Sequence, residues 1–266
     1  MDILNYTFFQ NALLGVLFVS LASAIIGTYV VSRRMVFITG GITHACFGGL
    51  GLGFYLGISP IAVAGVFAVA SAACVEWLAT KQRVREDSAI GVIWALGMAL
   101  GTLFLFLSPG YVPELTSFLF GNVLTITGVD IAMFAAYFVL LLVFFVAFYH
   151  PIVACAFDCD FAKTRQLPTT AINMAMTIMI ALCVVLTIRL IGIMLLMSLL
   201  TLPQMVAELF TIRLKTMMTI SAIVSLACST LGLFCSYWIA VPASATIVIL
   251  LITAYAVARI AKPRKA

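Results

Sequence analysis

The sequence predicts an all-α protein that crosses a membrane about nine times, and three observations predict it. Hydrophobic residues make up 65% of the 266 and charged ones only 9%, too little polar surface to clothe a soluble body of this size. Apolar runs of about 20 residues, enough to cross the hydrocarbon, recur along the whole chain. Lys and Arg sit in short clusters between those runs, as loop charges do. The net charge of +5 therefore implies no nucleic-acid patch. The seven cysteines are odd in number and mostly lie inside apolar runs, so they read as small buried hydrophobes and not as a disulfide framework.

The first run, Phe8 to Val31, follows an acid, Asp2, and precedes Arg33 and Arg34. A secretory signal has the opposite charge order, which predicts an uncleaved first span with its N-terminus outside. Further spans are predicted at 38–57, 60–80, 88–107, 129–150, 170–188, 191–211, 216–238 and 243–261, which leaves the C-terminus cytoplasmic. With that topology Arg33, Arg34, Lys81, Arg83, Arg85, Lys163, Arg165, Arg213, Lys215, Arg259, Lys262, Arg264 and Lys265 fall inside. Only Arg189 of the 14 positive residues falls outside, in agreement with the positive-inside rule. The tight turn near Arg189 and Leu190 decides the count: were 170–211 one span plus a re-entrant or broken helix, eight would remain.

Two connections are longer than a turn. Residues 108–128 lie outside as either an interfacial or re-entrant segment at a pore mouth, or a plain loop on the membrane. Residues 151–169 lie inside. There Phe157, Phe161 and Ala162, with Ala154 or Leu167, can form the apolar side of a short helix while Asp158, Asp160, Lys163 and Arg165 stay wet.

The most telling stretch is 33–57, RRMVFITGGITHACFGGLGLGFYLG. His44 lies about ten residues beyond Arg34, near 15 Å along a helix and so well inside the hydrocarbon. Ionisable groups at that depth usually face a bundle interior or a water-filled path, and imidazole is a common ligand for borderline metals. The plainer alternative is a neutral histidine bonded to a neighbouring helix. Gly40, Gly41, Ala45, Gly48, Gly49 and Leu52 surround it, and small residues let a second backbone approach. This face is predicted to line a narrow path where His44 of two copies converge.

Other candidates carry less. Cys46 points about 200° away from His44 around the helix and is core. Cys155 and Cys159 stand at i, i+4, yet two thiols alone make a poor metal site. His150, before Pro151, is expected to end the fifth span at the cytoplasmic face. Met194, Met197 and Met205 read as packing. Glu208 reads as a partner for Arg213 or Lys215. No phosphate loop is present, so the energy for any ATP-driven process must come from another polypeptide, and no cofactor is called for. No His-Glu-x-x-His or Gly-x-Ser-x-Gly is present either. The nine acids all fall in loops or near span ends, which disfavours a proton-driven carrier.

The runs 33–57, EDSAIGVIWALGMALGTLF (86–104), SFLFGN (117–122), AFDCDFAKTRQLP (156–168), IGIMLLMSLLTLPQMVAELFTIR (191–213) and SYWIAVPASATIVIL (236–250) resemble, in the same order, the permease subunits of bacterial zinc, manganese and iron ABC importers. The resemblance implies an ABC importer permease fold, a single transmembrane domain over 1–266, a homodimer in the bacterial inner membrane, a cytoplasmic ABC ATPase and an extracytoplasmic metal-binding protein. It also implies that the chain is not itself an enzyme. His44 matches the family histidine of the metal pathway and Thr43 its serine, while the family aspartate is Gly40 here and a usual proline is Gly48. The missing carboxylate would have suited manganese or zinc, and the metal stays open. The stretch 156–168, with Phe157, Asp158, Phe161, Ala162, Arg165 and Leu167, matches the segment that docks on the ATPase. The rival classes are a secondary carrier working without an ATPase and an intramembrane enzyme using His44.

Overall fold

A computed structural model describes residues 5–82, 84–108, 121 and 126–262, and the secondary structure among them is helical, without strands. The helices are α1 (Thr7–Ser32), α2 (Val36–Leu56), α3 (Pro60–Lys81), α4 (Glu86–Leu107), α5 (Gly128–Ala147), α6 (Tyr149–Phe157), α7 (Cys159–Thr164), α8 (Thr169–Ile191), α9 (Ile193–Leu199), α10 (Leu202–Phe210), α11 (Leu214–Ile239) and α12 (Ala243–Ala261). Among the described residues, nine stretches are long and apolar enough to cross a membrane: α1 to α5, α8, α9 with α10, α11 and α12. The predicted segment at 108–128 lies mostly outside the described residues.

Three boundaries differ from expectation, each for a local reason. The fifth span ends at Ala147, not at His150. Phe148 leaves the helical region (φ −108°, ψ 25°), and His150 and Pro151 open α6 instead. Proline is at home in a first turn, where its missing N–H would have had no partner. The sharp turn after α8 falls at Gly192, just past the predicted place near Arg189 and Leu190. Its φ of 79° with ψ of 171° is a conformation essentially reserved for glycine. The seventh span is interrupted at Leu200 and Thr201, just before Pro203.

The helices gather into two compact units. One holds α1, α5 as far as Leu142, and the chain from Leu190 through α9 to α12. At its centre α1 is buried without a gap from Ala22 to Val30, as an evenly apolar helix must be when neighbours surround it. Phe9 meets Phe234 of α11 edge-on at 5.3 Å. Gln204, fully buried, donates from Nε2 to the carbonyls of Ser23 (2.8 Å) and Leu199 (3.2 Å), joining α1 to the interruption between α9 and α10. Gly27 makes room for it, since a Cβ there would lie 2.5 Å from Gln204 Nε2 and 2.6 Å from the Leu200 carbonyl oxygen.

The other unit holds α2 to α4, the rest of α5 from Val143, α6, α7 and α8 as far as Arg189. Here α2 packs on both α3 and α4. Gly57, at φ 68°, ends α2 with its N–H on the Phe54 carbonyl, and Ile58 N–H reaches the Gly53 carbonyl. This left-handed cap reverses the chain in a few residues, and Pro60 starts α3. Glycine sets the spacing of α2 and α4. A Cβ on Gly51 would stand 2.5 Å from the Gly101 carbonyl oxygen, and one on Gly97 would run into the Ala45 backbone. Such close approach is how membrane helices associate where hydrophobicity alone offers nothing.

Candidate transport site

His44 projects from the middle of α2 and lies flat on Trp94 of α4, with ring centroids 4.3 Å apart and planes 9° from parallel. Both side chains are half-buried. The stack follows from the backbone contact beside it, because His44 precedes Ala45 and Trp94 stands one turn before Gly97. Thr43 is buried and its hydroxyl turns back to the Thr39 carbonyl at 2.6 Å, while Thr39 does the same to Val36 at 2.7 Å. Gly40 is buried, and Gly48 is seated against the Gly97 carbonyl and the Phe67 ring, each 3.0 Å from where a Cβ would be. Cys46 is core, as expected.

The foot of the same three helices carries charge. Arg33 Nη2 and Glu86 Oε1 are 3.4 Å apart, tying the start of α2 to the start of α4. Glu76, in the last turns of α3, is buried and accepts a hydrogen bond from Thr80 Oγ1 at 3.2 Å. Among the described residues no three of His, Cys, Asp or Glu gather as a metal-holding group, so within one copy His44 offers a lone imidazole.

The expected coupling stretch, 156–168, takes in the end of α6, Asp158 and all of α7. The Asp158 carboxylate caps α7, accepting from the backbone N–H of Asp160 (3.0 Å) and Phe161 (2.9 Å). The helix ends where Gln166 turns left-handed at φ 56°. Gln166 N–H then bonds the Lys163 carbonyl and Leu167 N–H the Ala162 carbonyl. The predicted apolar side is divided: Ala162 is buried and Leu167 half-buried, but Phe157 and Phe161 stand exposed, with Arg165 over the Phe161 ring at 5.4 Å. Asp158, Asp160, Lys163 and Arg165 are exposed, as expected. Lys163 Nζ bonds Asp160 Oδ1 at 2.8 Å, which holds the Asp160 carboxyl below its ordinary range. Cys155, buried beside Cys159, has its thiol pushed up by burial.

Trp94, Gln204 and the Arg33–Glu86 pair were not singled out from sequence. Gln204 could have been, as a carboxamide inside an apolar run. Trp94 could have been found only by counting up from the charged feet of two helices and noticing equal depth. His150 is exposed, with its ring edge-on to Tyr149.

Among the described residues, nine stretches long and apolar enough to cross a membrane, packed in places at glycine spacing, define a polytopic membrane protein. The chain belongs to the ABC 3 transport family, whose model matches residues 5–262. It is a family of transporter permeases, which makes this chain a multi-pass protein of the bacterial inner membrane. A relative from Chlamydia pneumoniae, named as a probable metal transport system membrane protein, is 32% identical over 257 residues, covering 94% of this chain and 88% of the relative. The manganese transport system membrane protein MntC of Halalkalibacterium halodurans is 27% identical over 264 residues, with 99% and 90% covered. Among solved structures, PsaBC from Streptococcus pneumoniae in complex with Fab superposes with a TM-score of 0.85 at 25% identity, covering 98% of this chain and 94% of that one.

Proposed function

We propose that the chain is the membrane-spanning subunit of an ATP-driven importer of divalent transition metal ions, with manganese, zinc and ferrous iron as the candidate cargoes. The observation that carries this is a half-buried imidazole at mid-span in a chain of the ABC 3 transport family. The names of the relatives favour manganese among the three. Two copies form the pore as one permease domain each, with the N-terminus outside and the C-terminus in the cytoplasm. An extracytoplasmic binding protein delivers the metal, and a pair of cytoplasmic ATPases docks on 156–168. The exposed rings of Phe157 and Phe161, beside Asp158 and Arg165, supply the contact, while Ala162 and Leu167 seat the segment on its own chain. His44 is a transient ligand, since conduction requires binding weak enough to release. Gly40, Thr43 and Gly48 line the path beside it.

The test is uptake of labelled manganese, zinc and ferrous iron into proteoliposomes holding the chain with its ATPase and binding protein. Accumulation of one metal that needs ATP inside the ATPase compartment supports the assignment. Accumulation that ignores ATP but collapses with an uncoupler would make the chain a secondary carrier.

A further inference from the structure

We propose that Trp94 is the positioning residue of the transport path, holding the His44 imidazole so that it offers one ring-edge nitrogen to a passing cation; this rests on the reading of His44 as a transient ligand. The geometry begins in the backbone. The Ala45 and Gly51 backbones of α2 meet Gly97 and Gly101 of α4, with Gly48 against the Gly97 carbonyl and Phe47 against Gly101, so over about one turn of α4 the two helices touch backbone to backbone. Two rings carried at the same level on backbones this close have no room to pass edge to face. They lie flat on one another, 4.3 Å between centroids and 9° between planes.

Metal ions bind imidazole in the plane of the ring, at the lone pair of a nitrogen. A stacked indole therefore covers a face and leaves the edge free. It also blocks the rotation about the Cβ–Cγ bond by which an unsupported histidine would wander between orientations. The electron-rich indole face beside the imidazole favours the partial positive charge that the ring acquires when it binds a cation. Trp94 is half-buried, as His44 is, so the pair borders space and is not sealed within the core. A phenylalanine at 94 would keep a flat face against His44. A leucine would fill the volume and supply no face.

The test measures manganese uptake as a function of concentration in metal-starved cells expressing the complete importer at equal membrane levels. It compares wild type, His44→Ala, Trp94→Phe and Trp94→Leu. Loss of a group that orients a metal-binding histidine typically costs 10–100-fold, so Trp94→Leu is expected to lose about tenfold or more while Trp94→Phe keeps most of the activity. A wild-type Trp94→Leu beside an inactive His44→Ala overturns the proposal and leaves the importer assignment standing. Equal losses in Trp94→Phe and Trp94→Leu overturn it as well, because a flat face is then not what matters. Uptake indifferent to His44→Ala removes the transient ligand and the proposal together. A second readout holds if the leucine variant fails to reach the membrane. In the purified chain carrying Trp77→Phe and Trp238→Phe, added Co²⁺ is expected to quench Trp94 emission, and His44→Ala to abolish that quenching. Quenching that survives His44→Ala overturns the proposal.

Discussion

Replacing Gly51 by alanine tests the helix contact on which the site is built. The new Cβ would stand 2.5 Å from the Gly101 carbonyl oxygen, 2.9 Å from its Cα and 3.1 Å from its carbonyl carbon, all backbone atoms that no rotamer change can move. Restoring contact to about 3.5 Å requires α2 and α4 to part by about 1 Å, and a gap of that size forfeits a quarter to a half of each neighbouring dispersion contact. Overpacking of this kind costs about 1–3 kcal/mol, while the better helix propensity of alanine returns about 1 kcal/mol. Gly91 provides the control on α4, because a Cβ there meets nothing within 4 Å and only the propensity gain applies. The assay is the midpoint of thermal denaturation of the purified chain in one detergent, with manganese uptake measured alongside. Gly51→Ala is expected to lie about 1–3 kcal/mol below Gly91→Ala, since the propensity gain is common to both, and to lose uptake as the ring stack loosens. Equal midpoints for the two variants would refute the account of the contact.

Three further outcomes are expected. Gln204→Leu removes two hydrogen bonds and strands the Leu199 carbonyl at the helix interruption, costing about 1–3 kcal/mol in the same thermal assay; an unchanged midpoint would show that the amide holds nothing. Asp158→Ala uncaps α7 at a cost of about 1 kcal/mol and lowers the stimulation of the ATPase in the assembled complex, whereas Asp158→Ser preserves most of it. The Asp160 carboxyl is held below its ordinary range by Lys163. The pair therefore supports α7 at any pH above the unfolded carboxyl's value and loses that support only as pH falls through the lowered one. Asp160→Asn should accordingly leave the pH profile of uptake unchanged from neutrality down to the onset of carboxyl protonation; a shifted profile in that window contradicts this.

The nine spans were legible because each is long, apolar and separated from the next by charge or by proline and glycine, signals that tertiary packing has no reason to override. The places that were misplaced are places where a local backbone choice decided. Gly192 carries the turn expected near Arg189 and Leu190 because only glycine takes that conformation, and Pro151 opens a helix where it was expected to follow the end of one. His44 was visible as a lone ionisable group at depth. Trp94 was not, because an aromatic residue in an apolar helix is ordinary until the partner helix is known to lie within backbone contact. Phe157 and Phe161 share an apolar pattern with Ala162, but pattern alone could not say that the phenylalanines stay exposed while the alanine is covered.

The most direct test of the central claim is manganese uptake into metal-starved cells expressing the chain with its ATPase and binding protein, wild type against His44→Ala at equal expression. ATPase-dependent accumulation that the substitution abolishes is the predicted result. Accumulation that survives it would make the stacked histidine a packing residue and place the metal path elsewhere.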